Sequence, residues 1–269
     1  MKRMWVLWIL AIIITLLAAY YQRMTGPTYP QKLDINFNGH EYNLELLRSH
    51  GGQDKCFIEL DIQNKDISAE LFYHRYPVNE KYTKVEFKKE GNKIIAELPV
   101  QPPAGKLQYY IVLKEKLEFV EISKENPVVI RFKGGVPAYI LIPHIFFMFF
   151  AMMFANLTGL MAVFKKKNYK IYSVITYILL IAGGLILGPI VQNFAFNEYW
   201  AGVPNGWDLT DNKLLIAFIF WSIAVFANLK KERLYWIWIA AIVTLIIFSI
   251  PHSMFGSELN YSTGVVTQG

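Results

Sequence analysis

The tripeptide Ile-Pro-His occurs twice, as Ile142-Pro143-His144 and Ile250-Pro251-His252, each time within or at the end of a long apolar run. Imidazole is costly in such a run without a partner, so an intramembrane histidine is read first as a functional residue. It is also the commonest metal ligand and a regular axial ligand of haem iron. Met148 and Met152 follow His144 by four and eight residues, on one helical face, and Met254 follows His252. Thioether with imidazole suits Cu(I) or haem iron, which makes His144, His252 and Met148 the candidate metal ligands. The competing explanation is local. Each proline frees a helix carbonyl to which the histidine donates, and methionine fills gaps between helices.

Between the histidines lies segment 192–212, which is rich in Trp, Phe, Gly and Pro. Asp208, three residues before Asp211 and just ahead of an apolar run, reads as a helix N-cap that satisfies free amides and favours the dipole. The aromatics read as an interfacial belt, or as one wall of a pocket for a flat apolar ligand. Glu198, Asp208 and Asp211 could serve an enzyme as acid or base only by virtue of lying in a loop. Glycine-rich nucleotide loops, G-x-S-x-G elbows and H-E-x-x-H motifs are absent, so the common hydrolase and transferase signatures are missing. His40, His50 and His74 lack metal-ligand spacing, and the lone Cys56 excludes both an intramolecular disulfide and a C-x-x-C pair.

The elements that must position these residues are set by composition. Hydrophobic residues make up 54% of the 269 and charged ones only 18%, against about 25% charged in ordinary soluble domains. The deficit is concentrated in five apolar runs, at 4–21, 136–164, 171–191, 214–229 and 234–250. Each is read as a membrane span; the first, ending in Tyr20 and Tyr21, is read as an uncleaved anchor. The formal charge of +6 does not point to nucleic acid, because the basic residues flank the runs. With alternating spans, Lys2 and Arg3, then Lys165, Lys166, Lys167 and Lys170, then Lys230, Lys231 and Arg233 fall on one side, the cytoplasm. Gly183-Gly184 and Gly188 give a G-x-x-x-G spacing that serves helix packing.

Residues 32–135 change character. Cys56, Ile58, Leu60 and Ile62 alternate with Phe57, Glu59, Asp61 and Gln63, as in a strand with one buried face. Strands 85–89 and 93–98 flank a Glu90-Gly91-Asn92 turn, and further strands are expected at 43–47, 69–73, 106–113, 119–122 and 128–132. The expected fold is an α+β membrane protein: five transmembrane helices with an extracytoplasmic antiparallel β-sandwich inserted between helices 1 and 2. Its parts are an anchor and linker (1–31), the β-domain (32–135), a four-helix transmembrane domain (136–252) and an extracytoplasmic tail (253–269).

The run Leu98-Pro99-Val100-Gln101-Pro102-Pro103-Ala104-Gly105-Lys106-Leu107-Gln108-Tyr109-Tyr110 resembles the proline-rich turn and tyrosine-bearing strand of immunoglobulin-like and fibronectin-III-like domains. Asn197-Glu198-Tyr199-Trp200, then Gly206-Trp207-Asp208 and a long apolar helix, resemble the WWD segment of bacterial haem-handling proteins in cytochrome c maturation. Ala201-Gly202-Val203-Pro204-Asn205 stands in place of that family's denser tryptophan spacing. The resemblance implies that Trp200, Trp207 and Asp208 line a haem-binding loop, with His144 and His252 as axial ligands. The expectation is a non-enzymatic protein of the bacterial cytoplasmic (inner) membrane, N-terminus inside and C-terminus outside. Its outer face would bind haem or copper, and its β-domain would dock a membrane or periplasmic protein. The alternative is a structural or assembly subunit of a membrane complex, without cofactor.

Overall fold

The computed structural model describes residues 4–64, 66–252, 254 and 256–267, and it divides into two units. The first holds the apolar runs, all of them helical: α1 (Met4–Met24), α2 (Ala138–Val163), α3 (Tyr169–Leu179), α4 (Gly188–Phe196), α5 (Leu209–Ala227) and α6 (Leu234–Ser249). A π-helical stretch, Leu180–Leu187, joins α3 to α4, so that Tyr169–Phe196 is one apolar helix of 28 residues. It, α1, α2 and α5 are long and apolar enough to cross a membrane. The fifth run gives α6, with 16 residues, about 24 Å at 1.5 Å per residue.

The helices turn large aliphatic side chains outward: Ile142 is 65% exposed, Ile178 56% and Ile246 59%. That is the reverse of a water-soluble bundle and fits a lipid-facing surface. Between the helices, small residues and hydrogen bonds replace bulk, as expected where lipid and core are equally apolar. Asn156 of α2 donates to Thr15 of α1 at 2.9 Å, and the fully buried Trp221 of α5 donates to Thr244 of α6 at 2.8 Å. A Cβ on Gly159 would meet the Ala241 Cβ at 2.5 Å. In the expected G-x-x-x-G segment the close contacts fall on Gly183, against Phe147 and Met148, and on Gly184, against Leu214.

The second unit comprises residues 28–135 and 257–267. One sheet runs β3 (Ser49–Gly51), β11 (Val128–Lys133), β9 (Lys106–Glu115), β5 (Ile67–Arg75), β6 (Thr83–Glu86), with β10 (Glu118–Ile122) also on β9. Another runs β4 (Cys56–Leu60), β8 (Lys93–Leu98), β7 (Lys88–Glu90), and β1 (Gln31–Phe37) pairs with β2 (His40–Leu46). Every pairing is antiparallel except β3 with β11. The inward residues of these sheets share one core, from Cys56, Ile58 and Leu60 to Leu107, Tyr109 and Ile111. Tyr109 is fully buried and its hydroxyl donates to the Leu47 carbonyl at 2.9 Å. Burial pushes the Cys56 thiol up to about 11, which keeps it unreactive.

Two boundaries differ from expectation. Residues 257–267, read as part of an outer tail, belong to the β unit, where β12 (Glu258–Leu259) and β13 (Val266–Thr267) form a hairpin. Segment 192–212 is shorter as a loop, because α4 runs to Phe196, where Asn197 closes it in the left-handed conformation at φ 60°, and α5 begins at Leu209.

Candidate functional site

Loop 197–208 folds back on the first turn of α5. Asp208 is the N-cap, accepting from the Thr210 amide at 2.8 Å and the Asp211 amide at 3.2 Å. It satisfies donors that the helix leaves open. Asp211, 5% exposed, holds the loop and not the helix end. Its Oδ2 accepts from the Ala201 amide at 2.6 Å and the Gly202 amide at 3.1 Å. Asn212 Oδ1 accepts from the Val203 amide at 2.9 Å, and the Asp208 amide donates to the Ala201 carbonyl at 3.0 Å. Gly202 is needed, since a Cβ there would meet the Asp211 Cβ at 2.7 Å.

The two tryptophans part company. Trp200 packs against the bundle core and donates its indole N–H to the Val203 carbonyl at 3.1 Å. Trp207 is 78% exposed, and Tyr199 and Val203 of the same loop are exposed as well. Glu198 is the loop's remaining acid: its Oε2 is buried and has no hydrogen-bond partner among the described residues. Burial, and then the Asp208 and Asp211 carboxylates, hold its carboxyl above the usual glutamate range. The folded loop therefore binds that proton more tightly than the unfolded chain. Its contribution to stability declines as pH rises from the ordinary value of 4.5 through the raised one. Glu198→Gln is expected to match the wild type in acid and to protect the loop better at pH above that window, read by hydrogen exchange over 197–208. A wild-type-to-variant difference independent of pH would contradict this.

The histidines find partners on different elements. His144 Nδ1 lies 2.8 Å from the Gly183 carbonyl in the π-helical stretch. A carbonyl only accepts, so Nδ1 carries the proton and Nε2 keeps its lone pair. Met148, one turn on, borders the same glycine, its Sδ lying 3.1 Å from where a Gly183 Cβ would stand. His252 Nε2 lies 3.3 Å from Gln22 Nε2 of α1. The amide N–H donates there, which occupies the lone pair that His144 retains.

Two polar residues that the motifs did not single out complete this end of the bundle. Pro251 ends α6 and leaves carbonyls open. Gln22 donates to the Phe248 carbonyl at 2.7 Å, and Lys213, 2% exposed, donates to the Ile250 carbonyl at 2.8 Å and the Pro251 carbonyl at 3.3 Å. A lysine at the edge of an apolar run was the available signal, since a buried cation near a helix C-terminus is favoured there. Among the described residues no group of three or more His, Cys, Asp or Glu is placed to hold a metal ion. Compared with models of known protein families, with curated proteins and with solved structures, the chain matches none.

Proposed function

We propose that this is a non-enzymatic scaffold of a bacterial inner membrane. Its β unit, an immunoglobulin-like sandwich on the outer side, docks a protein partner, and the helical unit anchors it through five spans with the N-terminus inside. The observation that carries this reading is how three ionisable groups of the loop and the start of α5 are spent, Glu198 being the one whose buried oxygen has no hydrogen-bond partner among the described residues. Asp208 caps a helix, Asp211 holds two loop amides, and Lys213 caps α6, which leaves an aromatic surface of Tyr199 and Trp207 for lipid or protein. The span count is supported by α6, whose C-terminus meets Gln22 and Lys213 beside the end of α1 and the start of α5. The immunoglobulin-like reading is supported by the sheets that share one core.

A second function has one observation in its favour. A backbone carbonyl that fixes the Nδ1–H tautomer is the usual outer-shell arrangement around a ligating histidine, and His144 has it, with the Met148 thioether close by. His144 and Met148, which border the same glycine, fit a haem or copper site. Trp200, Asp208 and His252 fit it poorly, because their polar atoms are already engaged. A bound haem or copper ion would supply one-electron redox chemistry. His144 would hold it, and the Gly183 carbonyl would keep the ring in register.

The test is the absorption spectrum, oxidised and reduced, with iron and copper analysis, of full-length protein purified from haem- and copper-supplemented cells. The scaffold reading expects a colourless, metal-free protein that migrates in native gels as part of a larger assembly. Stoichiometric haem or copper that disappears in His144→Ala would overturn it and establish the second function.

A further inference from the structure

One end of the helical unit gathers seven cations on two turns. Lys165, Lys166, Lys167 and Lys170 lie between α2 and the second turn of α3; Lys230, Lys231 and Arg233 lie between α5 and α6. The turns are fastened to each other. Tyr169, 2% exposed, donates its hydroxyl to Asn228 Oδ1 at 3.2 Å. Asn228 also fixes its own turn, donating to the carbonyls of Ala224 at 2.9 Å and Arg233 at 3.1 Å and accepting from the Arg233 amide at 2.7 Å. Trp8 of α1 packs edge-on against Tyr172 at 5.8 Å, which brings the start of α1 to the same end.

Glu232 is the only carboxylate on either turn. None of the seven cations is in an ion pair among the described residues, whereas six lysines of the β unit are: Lys55, Lys84, Lys93, Lys106, Lys114 and Lys124. The chain thus pairs six lysines of one unit with carboxylates and leaves a cluster of seven cations at one end of the other in no ion pair among the described residues. Around them stand exposed Phe164 (56%), Tyr235 (47%) and Trp238 (40%), the ring types that settle at headgroup depth. Lys165 even occupies a left-handed position, φ 50°, where α2 closes with the Lys166 amide donating to the Met161 carbonyl at 2.8 Å. Glycine is the usual residue there.

We propose that this end of the helical unit is a binding surface for the phosphate headgroups of anionic phospholipids. The occupant is a lipid and not a small free anion, because the cations are spread over exposed turns among apolar rings instead of lining an enclosed pocket. Each lysine near an anionic leaflet contributes roughly fivefold in affinity, so several acting together give a pronounced preference. The inference rests on the membrane reading of the helices but not on either function proposed above.

The experiment is to reconstitute the full chain in phosphatidylcholine nanodiscs doped with a minor fraction of phosphatidylglycerol and to measure, by native mass spectrometry, the anionic lipid retained. The wild type is expected to retain phosphatidylglycerol well above its bulk share. The variant Lys166→Gln/Lys167→Gln/Lys230→Gln/Lys231→Gln is expected to lose that enrichment by about tenfold or more, and the same four changes to arginine to keep it. Lys88→Gln/Lys89→Gln in the β unit is expected to change nothing. Absence of enrichment in the wild type, its survival in the glutamine variant, or its displacement by inorganic phosphate would each overturn the proposal. A chain that enters no nanodisc of either composition would instead overturn the membrane reading.

Discussion

Asp211→Ala is expected to free the loop between α4 and α5 and to lower the stability of the helical unit by about 2–5 kcal/mol. The carboxylate is the acceptor for two amides, Ala201 and Gly202, and Ala201 has no exposed surface. Each buried donor left without an acceptor costs about 1–3 kcal/mol, and the aspartate bonds are charge-assisted, hence stronger than neutral ones. Water can enter beside an alanine, which sets the lower bound. Asp211→Asn keeps one acceptor oxygen and should lose roughly half as much. Hydrogen exchange at Ala201 and Gly202 is the direct measurement, with the thermal midpoint as a second. Trp207→Ala, at a ring 78% exposed, should leave both within the small range of surface substitutions. Unchanged exchange in Asp211→Ala would mean that this carboxylate does not organise the loop, and its buried position would then have to be explained by chemistry instead.

That pairing of Asp208 and Asp211 also shows where sequence is legible and where it is not. Asp208 was readable as an N-cap because capping is a local relation, two or three residues long. Asp211 bonds to amides nine and ten residues back along a loop with no period, so nothing in its neighbourhood announces the partner. The same limit hid His144's partner, Gly183, 39 residues away. The apolar runs were legible as helices because their length exceeds any strand, and β8 was readable to the residue because Gly91, at φ 60°, ends the preceding strand sharply. The strand β1 lies outside the strands expected above although Leu33, Ile35 and Phe37 alternate with Lys32, Asp34 and Asn36; there the signal is present in the sequence. For β3, β12 and β13, of three, two and two residues, no period-2 pattern can be established, and only tertiary pairing defines them. The loop's aromatic content is plain in the sequence, but which ring turns inward is decided by packing against helices distant in sequence. Trp200 went in and Trp207 went out.

A chain that stops at Gly256 is expected to keep its helices but to lose about 2–4 kcal/mol of stability in the β unit, a fall of roughly 10–20 °C in its unfolding midpoint. The hairpin at 257–267 is tied to that unit by several independent bonds. The Leu259 amide donates to the Ala104 carbonyl at 3.1 Å. The Tyr261 hydroxyl accepts from the Lys106 amide at 2.9 Å and donates to the Lys106 carbonyl at 2.8 Å, spanning both backbone groups of one residue. Lys106 pairs with Glu258, and Arg131 donates to the Ser257 carbonyl. Each such bond is worth about 1 kcal/mol net, and burial of Leu259, 7% exposed, adds about 1.5–3. Ordering the segment offsets much of the sum, which is why the net loss is smaller than the bonds taken singly. Tyr261→Phe isolates the two central bonds and should cost about 1–2 kcal/mol. Gly105→Ala should act from the other side, since its Cβ would meet the Gln101 Cβ at 2.7 Å and the Tyr261 hydroxyl at 3.1 Å. Limited proteolysis of the full and shortened chains in one detergent would read the effect. A shortened chain whose β unit resists cleavage and melts like the full one would show that strands 28–135 are sufficient. Earlier cleavage would mean that strands 28–135 are completed only by residues 257–267, which follow all six helices in the sequence.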